Sequence, residues 1–443
     1  MQAAIHSAYR PVVGPRFCGI RSVKRPSGGG GGLPPDADMI FDAPLETGVD
    51  ATTGANKTGN FVRASSKVYY DGTADTDITT IASGNPTFGY AYNDTSTSVP
   101  AFWATQAAKN YLLHSEAMNT APWAAVGTGS VAETVGTLGD IVLSRITASA
   151  NDDGVEQASG SALAATSLAV YSIFVKSESG SVAGKLSLTN NGGVEDTTAF
   201  TATTTGQRVF GAFTGGGSIN VGIKITLDVG GTTVLAGGAQ IENAKVSATG
   251  SGNFYPGSYV KTTVAVAQSV SEGLYYDSSN IANVMDKGTI SYWYCPFYEG
   301  NTSGTIYRRT FDMNNSKLAL SHHHVAVGAN RLLLYYNGTA ASFSPTPFDT
   351  AFKYYFVVAT WDNTGATLLR DIIVDGVSLG GDSAVKPANP TVQNLYVGMT
   401  SLYGSFPYNI SHALISKFRV YDTVKDATWA AAWFANDQAD YGR

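Results

Sequence analysis

The chain has 443 residues, a formal charge of −6 and only 14% Asp, Glu, Lys and Arg, against about 25% in an ordinary soluble domain. Its 49 Gly, 24 Tyr and 19 Phe, with abundant Thr, Ser and Val, favour strands and turns over helices. The acidic balance excludes a nucleic-acid binder across the whole surface, and no window approaches the roughly 18 continuous apolar residues of a membrane span. Two cysteines, Cys18 and Cys295, are too few for a disulfide framework and sit in no metal-ligand spacing.

Residues 1–38 read as an extended basic arm with a glycine hinge. Up to residue 35 they hold Arg10, Arg16, Arg21, Lys24 and Arg25 and no carboxylate, a charge of +5. With −6 overall, the remainder carries −11. Five prolines and the run Gly28–Gly32 leave too little apolar surface to fold alone. The five cations are therefore the expected docking residues for a partner.

Residues 39–109 are expected to be connecting strands. Met39-Ile40-Phe41 reads as one strand and residues 60–70 as another, closed by the turn pair Asp71-Gly72. Residues 101–109 suit a short helix or turn. From 110 to 260, short alternating strands such as 167–176 and 218–227 are separated by turns at 190–193, 215–217 and 230–231, the pattern of a sandwich. From 261 to 443 a second set follows, at 288–294, 331–336, 353–360, 371–374, 395–397 and 413–421. Asp375-Gly376 is a hairpin turn, and Asp426 caps a helix that stacks Trp429 one turn from Trp433. The fold class is all-β: two antiparallel β-sandwich or jelly-roll domains behind an extended N-terminal arm.

Two stretches resemble known modules. The series Gly273-Leu274-Tyr275-Tyr276-Asp277, Gly288-Thr289-Ile290-Ser291-Tyr292-Trp293, Tyr355 to Asp362, Ile373-Val374-Asp375-Gly376, Leu395-Tyr396-Val397-Gly398 and Ile415 to Asp422 resembles a laminin-G/concanavalin-like jelly roll. Asn110-Tyr111-Leu112-Leu113-His114-Ser115-Glu116, Trp123, Gly238-Ala239-Gln240-Ile241-Glu242 and Phe254-Tyr255-Pro256-Gly257 resemble the carbohydrate-binding-module-like sandwiches of tailed-phage structural proteins. Laminin-G-like folds begin with a strand like Met39 to Leu45, so the resemblance also implies that the middle sandwich is inserted into the jelly roll.

The chemistry is sparse. Glycoside cleavage needs two carboxylates about 5–9 Å apart, yet Glu156, Glu178, Glu195, Glu242, Glu272 and Glu299 are scattered singly. No hydrolase elbow, phosphate loop or Cys/His metal spacing occurs. His322 and His324 would share a strand face and could hold a metal only with a third ligand from elsewhere. Asp362, Asp371, Asp375 and Asp382 lie near turns where calcium could sit. No cofactor is expected, and neither metal reading is adopted. Tyr335, Tyr336, Tyr403, Tyr408 and Asn409 are the candidate glycan contacts, because loop tyrosines can stack on sugar rings beside amide groups.

A composition suited to the outside, without the apolar stretch of about 7–15 residues of a secretory signal, fits a virus particle released by lysis. The expectation is a non-enzymatic phage virion component, a capsid decoration or a tail or fibre protein at the particle surface. Its arm docks on other virion proteins, its sandwiches meet host-surface glycans, and by resemblance it is a homo-oligomer such as a trimer. The alternatives are a virion-associated polysaccharide depolymerase and a bacterial surface adhesin.

Overall fold

In the computed structural model the described residues are 37–46, 59–62, 67–70, 78–81, 88–89, 99–104, 109–158, 162–163, 168–214, 219–243, 256, 259–265, 267–268, 273–297, 306–313, 317–324, 331–344, 348, 350–392, 394–399, 411 and 413–443. The five cations of the arm, Cys18, the Asp71-Gly72 turn, Tyr403, Tyr408 and Asn409 lie outside them. Among the described residues the elements are almost all strands, with a single α-helix at Ala427–Asp437.

Two large sheets use strands from both ends of the chain. The eight-stranded sheet runs in the order Val377–Val385, Thr367–Val374, Tyr355–Asp362, Lys287–Pro296, Ala413–Tyr421, Ala101–Ala104 and Phe88–Gly89, with Met39–Ala43 also pairing with Ala413–Tyr421. The seven-stranded sheet runs Asn60–Val62, Gly273–Tyr276, Leu395–Val397, Ile306–Met313, Leu318–His324, Arg331–Tyr336 and Thr339–Phe343. Alternation decides what lies between them. Leu332, Leu334 and Tyr336 join Leu318 and Leu320 from one sheet, and Tyr292, Tyr355, Val357 and Trp361 from the other, in one buried core. Each such side chain taken out of water contributes about 1.5–3 kcal/mol before entropy is counted.

Two expectations are corrected here. Residues 60–70 do not make one strand. Asn60–Val62 joins the seven-stranded sheet, whereas Lys67–Tyr70 forms a hairpin with Ile78–Ile81. At 101–109 the described backbone is strand: Ala101–Ala104 pairs with Ala413 to Ile415, because Phe102 has a core to enter. A weak local helix preference loses to that burial.

Between residues 124 and 243 the chain builds a separate pair of sheets. Five strands run in the order Gln207–Thr214, Leu168–Lys176, Thr233–Asn243, Ile141–Thr147 and Ser130–Leu138. The other sheet runs Gly193–Thr203, Ser181–Asn190, Ile219–Leu227, Gly154–Gln157 and Ala124–Val126, with Ala162–Leu163 alongside Ile219–Leu227. Their inward residues, among them Ile173, Leu186, Ile223 and Ile241, form a second core. The chain enters and leaves this sandwich through paired strands: Asn110 faces Ala267 and Lys109 faces Gln268.

Asn110 locks that junction. Its Nδ2 donates to the carbonyls of Ala239 and Val260, and its Oδ1 accepts from the amides of Leu112 and Ile241. Nearby, Tyr259 donates to Glu116, and Lys261 pairs with the same carboxylate at 2.7 Å. A third apolar cluster gathers Leu143, Phe174, Leu235 and Tyr259 with Trp293, Phe356, Trp433 and Tyr441, and so joins the two sandwiches. The helix contributes Trp433 to it, starting where expected, with Asp426 Oδ1 accepting from the Trp429 amide at 2.8 Å.

Opposite charges fasten the first strand and the helix to the last strand. Lys417 Nζ lies 3.1 Å from Asp437 and 3.4 Å from Asp440, and Arg419 Nε lies 3.4 Å from Asp42. The Arg419 guanidinium also stacks 4.4 Å from the Trp433 ring centre. Glu46 sits in the same field, and burial holds its carboxyl above the ordinary range, the nearby Lys417 only partly offsetting that.

Candidate glycan-binding face

The outer face of the seven-stranded sheet follows from the strand period of two. In Arg331–Tyr336 the core takes Leu332, Leu334 and Tyr336, so Arg331, Leu333 and Tyr335 point away from it. By the same alternation, Tyr275 points out between buried Leu274 and Tyr276, and Tyr396 points out between buried Leu395 and Val397.

Register then sets these residues side by side. Tyr335 lies opposite Ala319, Ala319 opposite Asp312, Asp312 opposite Tyr396, and Tyr396 opposite Tyr275. The result is a transverse row over five strands, Tyr335–Ala319–Asp312–Tyr396–Tyr275. At about 4.8 Å per strand the row is about 19 Å long. Tyr275 and Tyr396 are tilted ring to ring with centroids 5.5 Å apart. Burial raises the Tyr396 phenol, with the neighbouring Tyr275 and Asp312 adding to the rise. The phenol therefore keeps its proton at neutral pH and can donate to an acceptor.

Ala319 contributes only a methyl, and Arg309, in the adjacent row opposite Ser321, reaches over the Tyr335 ring at 4.4 Å. A β-bulge between Arg309 and Phe311 places this cation. One extra residue lets Phe311 stay in the core while Arg309 turns outward, and Thr310 is left facing inward, where it accepts from Tyr292 Oη at 2.6 Å. Asp312 and Arg309 are themselves buried, while the three tyrosines are partly exposed. Ring faces and phenol oxygens are thus what the row offers to a ligand.

The structure divides the glycan-contact candidates. Tyr335 is in the row. Tyr336 is a correction: it is fully buried in the core, and its hydroxyl donates to the Met285 carbonyl and to Asn389. The next two residues, Asn337-Gly338, make a tight hairpin turn with φ of 48° and 82°. Tyr275, Tyr396, Asp312 and Arg309 were missed. Alternation in Gly273-Leu274-Tyr275-Tyr276 and Leu395-Tyr396-Val397 is the signal that points two of them outward.

The metal candidates do not converge. His322 is buried on the inner face, edge-on to Phe348 at 5.4 Å. Asp362 accepts from Thr364, Asp371 from Ser378, Asp375 from the Phe356 amide, and Asp382 pairs with Arg370. Among the described residues no group of three or more His, Cys, Asp or Glu could hold a metal ion. Among the described glutamates, Glu178 pairs with Arg145, Glu195 accepts from Asn190, and Glu242 accepts from Gln240; Glu272 and Glu299 lie outside the described residues.

No protein-family model matches the sequence, and no curated protein matches it. Among solved structures, the chain is similar to a heptameric SAP-like pentraxin from Limulus polyphemus, with 15% identity over 33% of this chain and 68% of that one, and a TM-score of 0.28. It is similar to a Trypanosoma rangeli sialidase in complex with 2,3-difluorosialic acid, with 17% identity over 38% of this chain and 26% of the sialidase, at a TM-score of 0.30. The binding domain of botulinum neurotoxin DC, solved with rat synaptotagmin II, gives 14% identity over 37% of this chain and 40% of that one, at a TM-score of 0.28. The chain thus spans about a quarter of the sialidase and two fifths of the toxin domain. The protein itself is all-β, built from antiparallel sheets packed as sandwiches.

Proposed function

We propose that this protein is a non-enzymatic structural component of a tailed-phage virion that displays its sandwiches to host-surface glycans. The observation that carries the glycan reading is the transverse row, in which three partly exposed tyrosines present ring faces and phenol oxygens on one sheet face. Flat rings on a rigid sheet suit sugar rings, and a scaffold without moving parts loses little entropy on binding. The particle reading is supported by sequence, through the acid-free arm of +5 ahead of a body of −11. In it Arg10, Arg16, Arg21, Lys24 and Arg25 dock on acidic surfaces of other virion proteins, and the protein assembles as a homo-oligomer. A passive role is supported by the separate engagement of Glu178, Glu195, Glu242 and the four loop aspartates.

Removing residues 1–35 tests the anchor. The truncated chain is expected to fold and to bind glycans as before while failing to join particles, scored by co-sedimentation; normal incorporation would refute the anchoring role. Incubating the intact protein with host polysaccharide and assaying reducing ends tests the passive role. Release of oligosaccharides would overturn it in favour of a depolymerase.

A further inference from the structure

The hairpin of Thr367–Val374 and Val377–Val385 closes one side of the eight-stranded sheet, and Val377–Val385 is the outermost strand there. Six of its nine residues are exposed. Val385 is 90% exposed, and Leu369, which stands opposite Ser383 on the neighbouring strand, is 52% exposed. An outermost strand offers main-chain N–H and C=O groups to any further strand, and sheets usually guard it with charge, proline or a bulge. Here the strand has one charged residue, Asp382, whose carboxylate is held by buried Arg370 at 2.6 Å. Leu379 and Gly380 bulge opposite Ile372. Beyond them Gly381 to Val385 pairs regularly and is left unguarded.

This stretch is complementary to itself. In an antiparallel pairing with a second copy about a two-fold axis at Ser383, Asp382 meets the second copy's Ala384 and Gly381 meets its Val385. Alternation puts Gly381, Ser383 and Val385 on the same face as Leu369. Each Val385 then lies over a residue without a side chain, and the Val385 and Leu369 side chains of both copies gather around the axis. No like charges stand opposite one another, as they would with the axis at Asp382. Exposed Lys386, one residue past the strand, comes beside the second copy's Asp382.

We infer that Val377–Val385 is the contact edge between two copies of this chain, paired antiparallel over Gly381 to Val385 so that their eight-stranded sheets run on into one. The inference gives the homo-oligomer proposed above a definite contact and rests on that reading. So short a pairing makes a small interface. The dimer is therefore expected to form at micromolar concentrations and to be favoured where several copies are fixed close together.

The test uses the full chain in sedimentation velocity over a concentration series. The expected result is a monomer–dimer equilibrium whose dissociation constant Val385→Lys raises about tenfold or more. That side chain is exposed, so the far-ultraviolet spectrum and melting temperature are expected to stay unchanged. Ser383→Cys, on the axis, is expected to give a disulfide-linked dimer under mild oxidation, because residues directly opposite in an antiparallel pair lie within disulfide reach. Thr367→Cys, exposed on the same hairpin but off the axis, is expected to give none beyond the unaltered chain. An oligomer that withstands Val385→Lys, or that shows no cross-link with Ser383→Cys, would overturn this edge and leave the homo-oligomer to another surface. A chain that stays monomeric throughout the series would overturn the homo-oligomer reading with it.

Discussion

The two sandwiches each turn one sheet face outward, and the two faces are built on the same plan with opposite chemistry. The jelly roll sets Tyr335–Ala319–Asp312–Tyr396–Tyr275 across its strands. The inserted sandwich sets Thr197–Ser187–Lys224–Glu156–Ala124 across its own. In the second row Ser187 and Thr197 share a hydrogen bond of 2.9 Å, and Lys224 stands directly opposite Glu156. Beside that row Lys185 is taken up by Asp152 and Asp228. Such a face is solvated, self-sufficient and poor in ring surface. The first row has ring surface instead, at Tyr335, Tyr396 and Tyr275, all partly exposed. Sequence resemblance alone points sugar binding to the inserted sandwich, whereas the reading proposed above puts it on the other one.

The comparison can be broken at its strongest point. Replacing Tyr275 and Tyr396 together by alanine should cost between tenfold and a hundredfold in glycan affinity, about 1.5–3 kcal/mol, because central aromatic contacts carry most of a binding energy. Calorimetry on the double variant checks it, and unchanged affinity would remove the row from consideration. Next in size, Asn110→Ala strands two carbonyls and two amides at the junction of the sandwiches. It should lower stability by about 2–3 kcal/mol, read by denaturant unfolding, with glycan affinity retained by whatever remains folded.

A smaller effect lies away from both faces. Burial raises the Glu46 carboxyl in the folded state, so the folded chain holds that proton more tightly than the unfolded one. Its contribution is fully present below the unfolded carboxylate range and is lost as pH rises through the folded pKa. Glu46→Gln should therefore raise the melting temperature at neutral pH and leave it nearly unchanged in acid. A lower melting temperature at neutral pH would show that the charged form is needed. Smallest of all, Lys224→Ala with Glu156→Ala should leave glycan affinity unchanged and move stability by less than about 1 kcal/mol. Loss of binding in that variant would shift the site to the inserted sandwich.

How much of this was legible depended on the distance over which each feature is decided. Arg331–Tyr336, Leu395–Val397 and Ala413–Tyr421 have the bounds that alternation predicts, and the Asp426 cap and the Asp375-Gly376 turn are set within a few residues. Side-chain facing was harder. Tyr335 and Tyr336 are neighbours of one type, and only the position of the opposing core shows which is buried. The row was not legible, because it needs the register of strands as far apart as residues 275 and 396. A bulge such as that at Arg309 shifts such a register without a marker in the sequence. The Ala101–Ala104 strand was read as helix or turn for the same reason, since its partner strand lies some three hundred residues later.

The pairing of Met39–Ala43 with Ala413–Tyr421 has a consequence for biosynthesis. The first described strand leaves the ribosome long before its partner exists, so it must wait until residues up to Tyr421 have been made. Contacts of such sequence separation close late and slowly. A fragment released before residue 413 has no seat for that strand, and the cationic leader fused to it stays attached to an unfinished sandwich.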